Sequence, residues 1–180
     1  MSKSLGNIST ISDASNKYSG QVVRLALLSA HYKQPLDWSD QLLKSQSKVL
    51  DKWYSIYSSD FSEKLPECFN VLLDDMNTPL YISKLHDLFT QSQNGNVEKI
   101  KEFNKACRLI GLFHETKEDR EEFKKSKIKI NEETILSKIK EREIAKKNGK
   151  FDIADKIRDE LSEQGIDIKD IKDKTIWNYK

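Results

Sequence analysis

Apolar residues recur every three or four positions along most of this 180-residue chain, and only 6 glycines and 3 prolines interrupt them. That pattern is its strongest constraint, because a stripe with a period near 3.6 residues is gathered onto one face by a helix and scattered by a strand. QVVRLALLSAHY (21–32) is apolar enough to be mostly buried, with Ser12-Asp13 as a start signal before it and Pro35 as its end. Trp38, Leu42, Val49, Trp53 and Ile56 carry the same spacing through the next segment, and a core stripe is the default reading of those aromatics. Pro66 opens a shorter helix with Phe69, Leu72 and Leu73. Asn77 or Thr78 can cap the following one, with Pro79 in its first turn where a missing N–H costs little. Leu85, Leu88 and Phe89 face its core. Past a turn at 94–96, Val97, Ile100, Phe103, Cys107 and Ile110 form one more apolar face.

The character changes at HETKEDREEFKKSK (114–127), which reads as a linker or an exposed helix. Beyond it, Ile135, Ile139 and Arg142 share a helix ending near Asn148-Gly149, and a second helix from Phe151 closes at Gly165. Ile166 and Ile168 alternate like a short strand, which Thr175–Trp177 can pair with. The fold class expected is mainly α, a helical bundle followed by a small mixed α/β unit.

Charge is distributed unevenly. Residues 124–150 hold ten Lys/Arg against four Glu, and residues 151–173 hold eight Asp/Glu against four Lys/Arg. Two solvated faces that attract each other explain this. So does a surface that draws in a polyanion while its carboxylates accept hydrogen bonds from base edges. Cys68 and Cys107 are far apart and belong to no CxxC pair, so they read as reduced buried thiols of a cytoplasmic protein. No apolar run reaches the roughly 20 residues of a membrane span. His31, His86 and His114 lack ligand spacing and read as packing or surface residues. Asp74-Asp75, beside Asn-Thr-Pro, reads as helix capping rather than a carboxylate pair. The opening MSKSLGN is either a solvated terminus or a phosphate-handling loop, with Lys3 as cation, Ser2 and Ser4 as hydroxyls and Gly6-Asn7 as turn.

MSKSLGN resembles the KMSKS loop of class I aminoacyl-tRNA synthetases. RLALLSAHYKQPLDWS (24–39), DDMNTPL (74–80) and KFDIADKIRDEL (150–161) resemble successive segments of cysteinyl-tRNA synthetases, as does the ending GIDIKD…TIW. The resemblance implies a C-terminal portion of such an enzyme, starting inside the KMSKS loop. It implies three parts: 1–60, the loop and stem-contact helices; 61–127, a helical bundle; and 128–180, a small anticodon-recognition domain. Lys3 then corresponds to the second lysine of the signature, contacting ATP with Ser2 and Ser4; Mg accompanies ATP, and the family's zinc has no ligands in this chain. Arg142, Lys146, Phe151, Asp155, Asp170 and Trp177 fall at positions facing tRNA(Cys), and the family often has arginine where Lys146 stands. Phe151 and Trp177 fit stacking on unpaired bases and fit the core of the small domain equally well. The upstream catalytic domain with its HIGH signature and zinc site is missing, so the piece is expected to be inactive alone, monomeric and free of membranes. A free-standing tRNA-binding module and a helical protein-interaction unit are the alternatives.

Overall fold

The computed structural model describes residues 10–128, 130–171 and 174–179. Lys3, Ser2 and Ser4 therefore lie outside the described residues. Between Lys117 and Glu118 the chain divides into two compact units.

The first unit is helical. It contains α1 (Ile11–Lys17), α2 (Gly20–Leu28), α3 (Asp40–Tyr54), a 3-10 helix (Glu67–Leu73), α4 (Thr78–Ser92) and α5 (Val97–Leu109). Side-chain caps set the starts. Thr10 and Asp13 exchange bonds as a capping box, so the cap of α1 lies two residues ahead of Ser12. Ser39 accepts from the Leu42 N–H, Asn77 from Leu80, and Asn96 from Glu98 and Lys99. Asn77 is thus the cap of α4, with Pro79 in its first turn. Asp74 and Asp75 do not cap it, contrary to the expectation; the structure uses Asp75 differently, as described below.

Helix α2 stops at Leu28 instead of running to Tyr32, because the Ser29 N–H and hydroxyl both turn back onto the Ala26 carbonyl, at 3.3 and 2.7 Å. Trp38 and Ile56 fall outside α3, which Ser39 and Ser55 bound, yet both pack against its core. Val97, the first residue of α5, and Leu73 are 61% and 70% exposed, so each apolar stripe begins or ends one position short of the sequence pattern.

Trp53 is the centre of this core, 1% exposed, with its ring edge-on to Phe103 at 5.6 Å and to His86 at 5.1 Å. Phe113 closes the cluster against Tyr54, Tyr57 and Phe103 from a left-handed backbone, φ 59°. Buried Gln21 holds that turn. Its Oε1 accepts from the Phe113 N–H at 2.7 Å, and its Nε2 donates to the Tyr54 hydroxyl at 2.9 Å and to Glu115 at 2.8 Å.

The second unit contains most of α6 (Lys117–Ser126), then α7 (Glu132–Lys147), α8 (Phe151–Glu163), β1 (Ile166–Ile171) and β2 (Lys174–Tyr179). The polar stretch after His114 is therefore largely helix. The α7–α8 turn depends on Gly149 at φ 71°, which lets the Lys150 N–H reach back to the Ala145 carbonyl at 2.9 Å. β1 and β2 pair antiparallel, with Ile166 opposite Tyr179, Ile168 opposite Trp177 and Asp170 opposite Thr175. Ile135, Ile139, Ile157, Leu161, Ile166 and Ile168 make a core separate from that of the first unit. The mainly α expectation with a small mixed end holds.

Gln21→Ala leaves the Phe113 N–H buried without an acceptor, which costs about 1–3 kcal/mol. For a unit of this size the melting temperature should fall by roughly 5–15 °C in a calorimetric scan. A melt unchanged within 2 °C would show that the turn holds without Gln21.

Candidate nucleic-acid interface

Two periodicities bring the predicted site residues of the second unit together. On α7, Arg142 and Lys146 are four residues apart and share a face. On β1, Asp170 continues the row of Ile166 and Ile168, the face turned toward the core. The apolar row thus ends in a carboxylate where the helix stripe ends in two cations.

They meet directly. Arg142 donates from Nη1 to Asp170 Oδ1 at 2.9 Å and from Nη2 to Oδ2 at 3.0 Å, a two-point fork. Lys146 Nζ donates to Oδ2 at 2.6 Å, and the Thr175 hydroxyl donates to Oδ1 at 2.9 Å from across the strand pair. The three charged side chains differ in access: Arg142 is 5% exposed, Lys146 37% and Asp170 41%. Arg142 first and Lys146 second hold the Asp170 carboxyl far below the usual carboxylate range. Its hydrogen bond to Asp170 raises Arg142 in turn.

The other predicted residues lie nearby in sequence but not in this cluster. Phe151 opens α8 and is 62% exposed, so its ring is not part of the core. Asp155, one turn along α8, is exposed too. Trp177 is half-buried, packs against the core opposite Ile168, and meets the Tyr179 ring edge-on at 5.1 Å. Thr175 was missed by sequence reasoning, although pairing TIW against IDIKD places it opposite Asp170.

The first unit has a cluster of its own. Asp75 and Met76 take left-handed backbones, φ 51° and 53°. Tyr32 donates to Asp75 Oδ1 at 2.6 Å and Lys33 to Oδ2 at 2.5 Å, while His31 Nε2 lies 2.9 Å from the Asp75 carbonyl. Lys33 and then Tyr32 lower the Asp75 carboxyl. HYK and DDMN, distant in sequence, form one exposed polar clasp.

The comparisons with known proteins agree on the kind of molecule. A family model described as tRNA synthetases class I (C) catalytic domain matches residues 1–48. The cysteine–tRNA ligase of Pelagibacter ubique is 43% identical over 182 residues, covering 100% of this chain and 40% of that protein. That of Azorhizobium caulinodans is 36% identical over 183 residues, 97% of this chain and 40% of the relative. That of Rickettsia canadensis is 38% identical over 187 residues, 98% and 40%. The chain therefore spans about two fifths of the length of the curated relatives it matches. The end-to-end relatives, together with the family match, place the chain among the class I aminoacyl-tRNA synthetases. Within them, it belongs to the cysteine–tRNA ligase family, as a portion of such a protein.

Asp170→Asn should leave the Arg142 charge poorly compensated. The loss is about 2 kcal/mol, below the 3–5 of a fully buried pair because Asp170 remains partly in water. The carboxyl is lowered in the folded state, so its contribution is complete above the unfolded value near 3.9 and fades as pH falls toward the folded value. Melting curves of wild type and variant should stay a constant distance apart from about pH 8 to 4 and converge only in stronger acid. Curves that converge near neutrality would contradict the assignment.

Proposed function

We propose that this chain forms the tRNA-contacting part of a cysteine–tRNA ligase, with tRNA(Cys) as its partner. The observation that carries the reading is the end-to-end similarity to cysteine–tRNA ligases. Residues 1–60 act as signature loop and stem-contact helices, 61–127 as helical bundle, and 128–180 as the anticodon-recognising part. The protein works as a cytoplasmic monomer.

In the ligase reaction the cysteine carboxylate attacks the α-phosphorus of ATP, a new P–O bond forms, and pyrophosphate leaves carrying the electron pair of the broken P–O bond. Lys3 supplies an ammonium against the charge that grows on the leaving phosphates, with Ser2 and Ser4 donating beside it; this favours the transition state over the ground state. Thiolate recognition and the remaining ATP contacts require a HIGH signature and zinc ligands, which these 180 residues do not supply, so the piece alone does not activate cysteine. In a complete enzyme, Lys3→Ala lowers adenylate formation by roughly 10²–10³.

On the RNA side, the basic α7, the exposed Phe151 ring and the carboxylates of Asp155 and Asp170 supply phosphate neutralisation, a stacking surface and acceptors for base amino groups. Trp177 adds a ring that is partly shared with the core.

The test uses the 180-residue chain. It should bind tRNA with log K falling linearly against log salt, by roughly 0.7–0.9 per phosphate neutralised. It should show no cysteine-dependent ATP–pyrophosphate exchange above background. Phe151→Ala should weaken tRNA binding by about 1–3 kcal/mol without altering the melt, while Trp177→Ala should lower the melt as well. Exchange by the purified chain would overturn the dependence on a separate catalytic part, and salt-independent binding would overturn the basic interface.

A further inference from the structure

The Asp170 carboxylate is fully occupied as it stands. Two oxygens offer about four acceptor positions, and four donors fill them: Arg142 Nη1 and Thr175 Oγ1 on Oδ1, Arg142 Nη2 and Lys146 Nζ on Oδ2. A base amino group can reach Asp170 only by displacing one of these.

They are not equally displaceable. Arg142 is 5% exposed, and its Nε is buried with no acceptor among the described residues, so withdrawing the guanidinium from Asp170 would leave a buried charge without the carboxylate it is bonded to. Lys146 is 37% exposed, and its ammonium rides on a flexible stem. Its ammonium loses little by moving to another anion of equal charge.

We propose that Arg142 is a positioning residue, holding Asp170 ionised and correctly turned without touching RNA. Lys146 is an exchangeable placeholder. When RNA arrives, its ammonium passes to a phosphate of the incoming strand, and the vacated acceptor position on Oδ2 receives an amino group of an unpaired base. This rests on the RNA-binding reading above and adds an order of events to it: the backbone charge that extracts Lys146 is what opens the base-reading carboxylate. The groups around Asp170 that govern its ionisation are Arg142 and Lys146 from α7 and Thr175 from β2; Glu143 and Asp155 act on Arg142 in turn.

The experiment combines tRNA binding against salt with an NMR titration of the Asp170 carboxyl, both on the 180-residue chain. Arg142→Lys keeps the charge and loses the fork. It should weaken tRNA binding roughly 10- to 100-fold with an unchanged salt slope, because Arg142 meets no phosphate. Lys146→Ala should instead reduce the slope by about one phosphate's worth. In an Asp170→Asn background, Arg142→Lys should cost no further affinity. Additive losses, or a reduced slope in Arg142→Lys, would mean that Arg142 contacts RNA itself and would overturn the proposal. The titration needs no RNA: the Asp170 midpoint should climb toward the ordinary carboxylate range in Arg142→Lys, and an unmoved midpoint would end the positioning role. A wild-type chain that fails to bind tRNA would overturn the functional reading and the exchange step together, with the titration still deciding what Arg142 does.

Discussion

A polar side chain buried between packed helices must find its partners inside, since an unpaired one costs several times what a pair returns. In both units this requirement ties down the connections that apolar stripes leave loose. Gln21 spends its amide on the Phe113 turn and the Tyr54 hydroxyl, and the aromatic cluster around Trp53 and Phe103 closes only because that turn delivers the Phe113 ring. Asn104, with no exposed surface, accepts from the Ser58 N–H and donates to the Ile56 and Ile100 carbonyls, fixing the segment that leaves α3. Arg142 does the same for the second unit, joining a helix to the far end of β1. Apart from the Asn104–Ile100 bond inside α5, these bonds link segments brought together by folding, so each depends on the packing it helps to fix.

Much of the fold could be read locally. Ser39, Asn77 and Asn96 are good caps in any context, and the alternation of Ile166 and Ile168 is a short-range signal that the strand pair obeys. Errors arose where a long-range partner outbid a local pattern. Apolar content alone extends α2 to Tyr32, but His31, Tyr32 and Lys33 are held by Asp75, and a continuing helix would point three consecutive side chains in three directions. The same partnership removes Asp75 from capping. Nothing within ten residues of either segment signals the other.

The residues proposed to face RNA divide similarly. Arg142 and Lys146 are visible as an i, i+4 pair, and Asp170 as the next inward position of its strand, so their meeting follows from two periods once the strand is granted. What the sequence could not rank is access. Arg142 and Lys146 carry the same charge one turn apart, yet one is 5% exposed and the other 37%. Phe151 and Trp177 are likewise both aromatic, and only packing separates an exposed ring at a helix start from one laid across a core.

That difference in access bears on how one surface can serve both affinity and discrimination. Exposed cations such as Lys146 act over a Debye length of about 8 Å and attract any polyanion, so they accelerate encounter without distinguishing sequences. A carboxylate reads base edges, but alone it repels the same strand. Pairing it with a buried guanidinium removes most of that repulsion while preserving its acceptors, and capping it with a mobile ammonium cancels the rest until a phosphate is close. A second fixed arginine in place of Lys146 would hold Asp170 more firmly and release it less readily. On the proposed exchange, lysine at this position gives up static recognition strength for a carboxylate that becomes available when the backbone has docked, which makes discrimination follow encounter instead of obstructing it.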